Sequence, residues 1–213
     1  MSRPARLAVA LAGLAIAIAA SAQPIQLTEG EFTAQTSRLP AVVETFDGFA
    51  VGGHSSPLVL ANGTYIAASP HVEIGAWCPL SKCLGEGASI AEARSFGAFP
   101  AGTTYWGSHL LYASIGQVVR MTVVGKGGTL EVDLPPSPVE FVPTGQFVGV
   151  SDPSGIVSVS FREIAGANYS FDNVVTVVGI PASIPTLGAW ALAGLALLLA
   201  ALSLPMLARR RSG

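Results

Sequence analysis

The sequence predicts an all-β fold. Between residues 23 and 180 no segment sustains a 3.6-residue apolar period over three turns. Short β-branched and aromatic runs recur there instead, set apart by Gly, Pro, Asn and Asp. Val157-Ser158-Val159-Ser160-Phe161-Arg162 alternates apolar with polar residues, the mark of a strand with one buried face. Many short strands at such spacing suggest a single β-sandwich or jelly roll over 41–180.

In chain order, residues 1–22 come first. Arg3 and Arg6 precede an apolar run, and Ala20-Ser21-Ala22 gives the small-x-small pattern of a signal peptidase site. Cleavage is expected after Ala22, with Ala20 and Ala22 as the recognised small residues. Residues 23–40 form a polar lead-in, expected to be an edge strand or loosely ordered. Strands are expected at 42–46, 59–60 with 64–67, 71–74, 104–106, 118–124, 129–132, 139–141, 147–150, 157–161 and 174–178. Gly125-Lys126-Gly127-Gly128 closes a hairpin between two of them. A short helix is expected over 89–94. The proline-rich 134–138 cannot donate to a ladder and reads as a connector. Residues 181–183 are a tether to the final segment, 184–213.

That segment is the most specific in the chain. Ile184-Pro185-Thr186-Leu187 is followed by Trp190, an uncharged apolar stretch to Ala208, and Arg209-Arg210-Arg211. About 20 helical residues cross a hydrocarbon core of roughly 30 Å, and a basic cluster after the span resists translocation. The expectation is a transmembrane helix whose arginines stay cytoplasmic. Together with the leader, this places the domain outside the inner membrane.

Charge agrees with an exported domain. Six of the eleven basic residues, but all thirteen acids, lie between the two end segments, a net of about −7. Such a surface argues against nucleic acid, whose phosphates need clustered Lys and Arg. The two cysteines, Cys78 and Cys83, are spaced C-x4-C, and in an oxidising compartment they read as a local disulfide. A metal site would need further soft ligands nearby, and a redox pair is usually C-x-x-C on a helix.

Catalytic motifs are scarce. His54, His71 and His109 stand far apart in sequence. In Gly149-Val150-Ser151-Asp152-Pro153 a proline holds the last glycine position of a nucleophile elbow, so the segment reads as a turn. The expected role is non-enzymatic. Trp77 and Trp106 are the candidate sugar-stacking platforms, against the alternative that aromatics fill the β core.

The tail resembles the IPTL-type C-terminal sorting domain of Gram-negative bacteria, a relative of PEP-type sorting signals. The resemblance rests on Ile184, Pro185, Thr186, Leu187 and Trp190 ahead of the span and arginines. It implies processing by an exosortase and passage to the envelope, cell surface or extracellular polysaccharide matrix. The alternative is a permanently anchored bitopic protein with a carbohydrate-binding or hydrolase ectodomain. More loosely, Glu44-Thr45-Phe46-Asp47-Gly48 and Phe171-Asp172-Asn173-Val174 resemble the first and last strands of jelly rolls carried by such proteins. That likeness implies a structural Ca²⁺ shared by Glu44, Asp47, Asp172 and Asn173. Asp47-Gly48 and Asp172-Asn173 also read as ordinary turn residues.

Overall fold

The computed structural model describes residues 23–67, 71–76, 82–85, 93–112, 116, 118–136, 145–165 and 169–179. The chain divides into two units, Met1–Pro181 and Ala182–Gly213, and the described residues all belong to the first. The leader with Ala20 and Ala22, Trp77, Cys78, the strand expected at 139–141 and the whole tail lie outside them. Among the described residues no helix is long and apolar enough to cross a membrane.

Alternation in the sequence becomes two layers. In β10 (Val118–Gly125) the odd residues Val119, Met121 and Val123 point inward, and across the ladder in β13 (Ile156–Ala165) so do Val159 and Phe161. A two-residue turn at Lys126-Gly127 joins β10 to β11 (Gly128–Asp133), as the glycine-rich loop predicts. This sheet continues from β13 through β8 (Arg94–Gly97) and β5 (Gly63–Ile66) to β4 (Leu58–Leu60).

The facing sheet runs β1 (Ile25–Leu27), β12 (Gln146–Ser151), β9 (Thr103–Tyr112), β14 (Tyr169–Val178), β7 (Cys83–Gly85), β6 (His71–Gly75) and β3 (Gly52–Ser55). β2 (Ala41–Glu44) pairs the C-terminal half of β14, Val174 lying opposite Glu44. The early strand β2 and the last strand are therefore neighbours. Every recorded pairing in both sheets is antiparallel.

The core between the sheets is aromatic. Phe96 meets Phe171 and Tyr65 at ring distances of 4.9 Å and Trp106 at 5.3 Å, while Phe161 meets Phe171 at 4.9 Å. Burial of each such ring contributes about 1.5–3 kcal/mol, and the tilted and edge-on geometries suit the ring quadrupoles.

Several elements depart from expectation. Arg94, expected at the end of a helix, opens strand β8. It is 1% exposed, its Nη1 donates to the Tyr169 carbonyl at 3.2 Å, and its guanidinium lies 4.3 Å from that ring's centroid. β3 and β7 are short and carry glycines, so they lack the β-branched runs that reveal a strand. The lead-in does supply the edge strand β1, and it then forms helix α1 (Glu29–Thr36), which the sequence reading missed. α1 lays Phe32 against the outer face of the sheet, beside Tyr105, Phe147, Val175 and Val177.

Candidate functional site

Three turns meet at one end of the sandwich and leave a surface groove of about 280 Å³. Its walls are the β8–β9 turn with Phe99 and Pro100, Lys126 from the β10–β11 turn, and Gly155, Ile156 and Val157 from the start of β13. Asp152 holds these turns together. Its Oδ1 accepts the Ser154 N–H at 2.7 Å and its Oδ2 the Gly127 N–H at 3.1 Å, while its own N–H donates to the Thr104 carbonyl at 2.9 Å. The Lys126 N–H donates to the Gly155 carbonyl at 2.8 Å, clasping one turn to the next.

The groove's shape depends on backbone detail. Gly155 takes a φ of +115°, and a Cβ there would meet the Lys126 stem at 3.5 Å, so the lysine lies along the bare glycine. Thr103 closes the β8–β9 turn by donating its N–H and hydroxyl to the Pro100 carbonyl. Among the described residues the lining has an apolar wall and one cation, with no carboxylate, histidine or cysteine. Such a surface can stack on a ring and meet an anionic or hydroxyl rim.

Of the expected ligand platforms, Trp77 lies outside the described residues and Trp106 does not line the groove. Trp106 is wholly buried between the sheets, packed on Phe96 and Phe161, so it is a core residue and not a sugar platform. Position 106 alternates inward with Thr104 and Ser108, and this period decided its face. Phe99 and Lys126 were not selected from the sequence. The Gly125–Gly128 loop reads in the sequence as a hairpin turn, and the lysine within it is the signal that could have pointed to the groove.

The expected calcium ligands have other duties. Glu44 is buried, and its two oxygens accept the Phe46 N–H at 2.8 Å and the Ala61 N–H at 3.1 Å. Asn173 sits at a φ of +51°, at the irregularity where β14 shifts register against β9, a conformation asparagine tolerates. Asp172 faces His109 across the β9–β14 ladder. Among the described residues no three His, Cys, Asp or Glu gather as a metal site. Glu44, Asp47 and Asp172 are thus not gathered as three carboxylates around one point, and Asn173 follows Asp172 on β14. The loop after β2 is tied by Lys82, whose Nζ donates to the carbonyls of Asp47 at 2.9 Å and Phe49 at 2.6 Å.

Cys83 is wholly buried and is not a free thiol; its expected partner lies outside the described residues. His54 contacts the Ala50 carbonyl at 2.7 Å, and His109 approaches Glu29 of α1 at 3.5 Å. The resolved pKa shifts lie away from the groove. Glu31 is lowered by accepting the Thr28 backbone N–H and then its hydroxyl. The Arg120–Asp133 pair on β10 and β11 lowers the acid and raises the base through its hydrogen bonds.

No family model matches the chain, and no curated protein matches it. Among solved structures it is similar to the CBM22-1–GH10 modules of Clostridium thermocellum endo-1,4-β-D-xylanase 10B, complexed with xylohexaose. That match has 11% identity and a TM-score of 0.39, and covers 65% of this chain and 28% of that one. It is also similar to the C-terminal family 22 carbohydrate-binding module of the same enzyme, with 14% identity, 65% and 92% coverage and a TM-score of 0.35. A third similar structure is the CBM29-2 carbohydrate-binding module, with 11% identity, 67% and 93% coverage and a TM-score of 0.33. Likeness of this size decides no ligand.

Proposed function

We propose that this chain is an exported protein whose non-catalytic β-sandwich interacts with envelope or matrix glycan, delivered by a C-terminal tail that an exosortase processes. The groove carries the binding part of this reading: Phe99 and Pro100 offer an apolar wall, and Lys126 offers a cation within the same 280 Å³. That volume lies just under the ~300–1,000 Å³ of drug-sized pockets, which suits a sugar ring or chain end. A hydrolase would need a general acid facing a second carboxylate. Of the three buried carboxylates among the described residues, Glu44 and Asp152 are committed to backbone N–H groups, and Asp172 lies on β14 opposite His109. Export and sorting rest on the order of leader, Ile184–Leu187 motif, apolar stretch and arginine cluster.

The binding test is retention of the mature protein on envelope polysaccharide in affinity electrophoresis. Phe99→Ala and Lys126→Ala are each expected to reduce retention several-fold. Absence of wild-type retention on any envelope polysaccharide overturns the glycan reading. The sorting test is the mass of the mature protein. A full-mass tail retained in the membrane fraction would favour the permanently anchored alternative.

A further inference from the structure

We infer that the Lys82 ammonium is the resident cation of the loop after β2, filling the role in which a metal ion would otherwise neutralise converging carbonyls. The loop is turned so that its oxygens collect. Phe46 adopts a φ of +60°, uncommon for a bulky residue, and is wholly buried; the Phe49 N–H then closes onto the Phe46 carbonyl at 3.1 Å. This places the carbonyls of Asp47 and Phe49, two residues apart, around one point. Lys82 Nζ sits there at 2.9 and 2.6 Å. Backbone carbonyls gathered in this way are the donor set that suits a hard cation, and an ammonium satisfies them with charge-assisted hydrogen bonds.

The lysine is delivered by the fold rather than by its neighbours in sequence. It directly precedes Cys83, which is buried and paired with Gly75, while Leu84 pairs with both Ile74 and Phe171. The base of its side chain is thus fixed to β6 and β14, more than thirty residues along the chain from the carbonyls it meets. Glu44 is not available to a metal in the same way, because both its oxygens hold backbone N–H groups. The inference stands apart from glycan binding and from sorting.

The experiment is thermal unfolding of the full-length protein with millimolar CaCl₂ or with EDTA, for wild type, Lys82→Met and Lys82→Arg. Wild type is expected to melt at one temperature in both solutions. Lys82→Met should fall by roughly 5 °C or more in EDTA and regain part of that loss in calcium. Lys82→Arg, which keeps the charge, should fall less and ignore calcium. A wild-type melt that shifts with calcium or chelator overturns the inference. So does a Lys82→Met protein as stable as wild type, or one that is destabilised yet indifferent to calcium. If Lys82→Met does not fold, calorimetric titration of wild type with calcium decides: no stoichiometric binding is expected, and one bound ion overturns it.

Discussion

Gly107 and Gly149 are direct partners across β9 and β12, and the ring of Phe32 lies in the space their side chains would fill. A Cβ on either glycine would come within 3.1 Å of that ring and closer still to Phe147. Two bare backbones thus make a seat that Phe32 shares with Phe147, and Phe32 helps hold the lead-in segment to the sheet beside Leu27 and the β1–β12 ladder. Phe32 is 5% exposed, so Phe32→Ala should cost about 3 kcal/mol. Gly149→Ala should cost about 1–3 kcal/mol, because the Phe147 ring must move. Urea melts measure both. Limited proteolysis adds a local readout: each variant should gain early cleavage between residues 23 and 40, and an unchanged cleavage pattern would refute this docking.

The helix that carries Phe32 is eight residues long and depends on its first turn. Thr28 and Glu31 form a capping box: the Thr28 N–H and hydroxyl donate to the Glu31 carboxylate, and the Glu31 N–H donates back to the hydroxyl. Thr28→Ala should cost about 1 kcal/mol and raise the Glu31 pKa only part of the way to the usual glutamate value, because the backbone N–H of residue 28, the larger cause, is kept. The sign follows from the lowered folded value. Glu31 contributes its stability above the unfolded pKa, and that contribution is lost as pH falls through the lowered folded one. An NMR titration of Glu31 in wild type and Thr28→Ala should show the upward shift in the variant; equal midpoints would count against the box.

Strands with clean alternation, such as β10 and β13, were legible because one buried face imposes a period of two on the sequence. The hairpin at Lys126-Gly127 was legible from its glycines. Helix α1 was not, since a single seated residue, Phe32, creates no period, although Thr28-x-x-Glu31 was a readable start signal. β3 and β7 escaped because glycines replace the β-branched residues that mark strands. For the site, the limit is different in kind. Trp106 and Phe99 are both aromatics near turns, and only the register of β9 and the fold of the β8–β9 turn leave Trp106 wholly buried and Phe99 half-buried against the edge of the core. Lys82 meets Asp47 and Phe49 through pairings distant in sequence, which local patterns do not carry.

Glu44 should behave as a structural residue. Its carboxylate ties its own strand to the β2–β3 loop through Phe46 and to the β4–β5 turn through Ala61. In that turn Asn62 is 1% exposed and donates to the Val174 carbonyl at 2.7 Å. Glu44→Gln keeps the volume but turns an amide group towards one of the two N–H donors, at a cost of about 1.5–3 kcal/mol. Thermal unfolding in EDTA tests this without any metal. Loss in calcium but none in EDTA would point to a ligand role instead.

Asp152 offers the sharpest separation between stability and binding. It is wholly buried, and a side chain at Gly125 would collide with its carboxylate. Asp152→Asn leaves one of the Gly127 and Ser154 N–H groups facing an amide, which should cost about 1–3 kcal/mol. Gly125→Ala should destabilise by a similar route, by displacing the carboxylate from both turns. Lys126→Ala touches neither bond, because Lys126 contributes to the clasp through its backbone N–H. Melting temperature should therefore fall for Asp152→Asn and Gly125→Ala and hold for Lys126→Ala. Polysaccharide retention, compared at a temperature where all are folded, should fall most for Lys126→Ala. The reverse ranking would mean that the groove is a by-product of turn packing and that its lysine contacts no ligand.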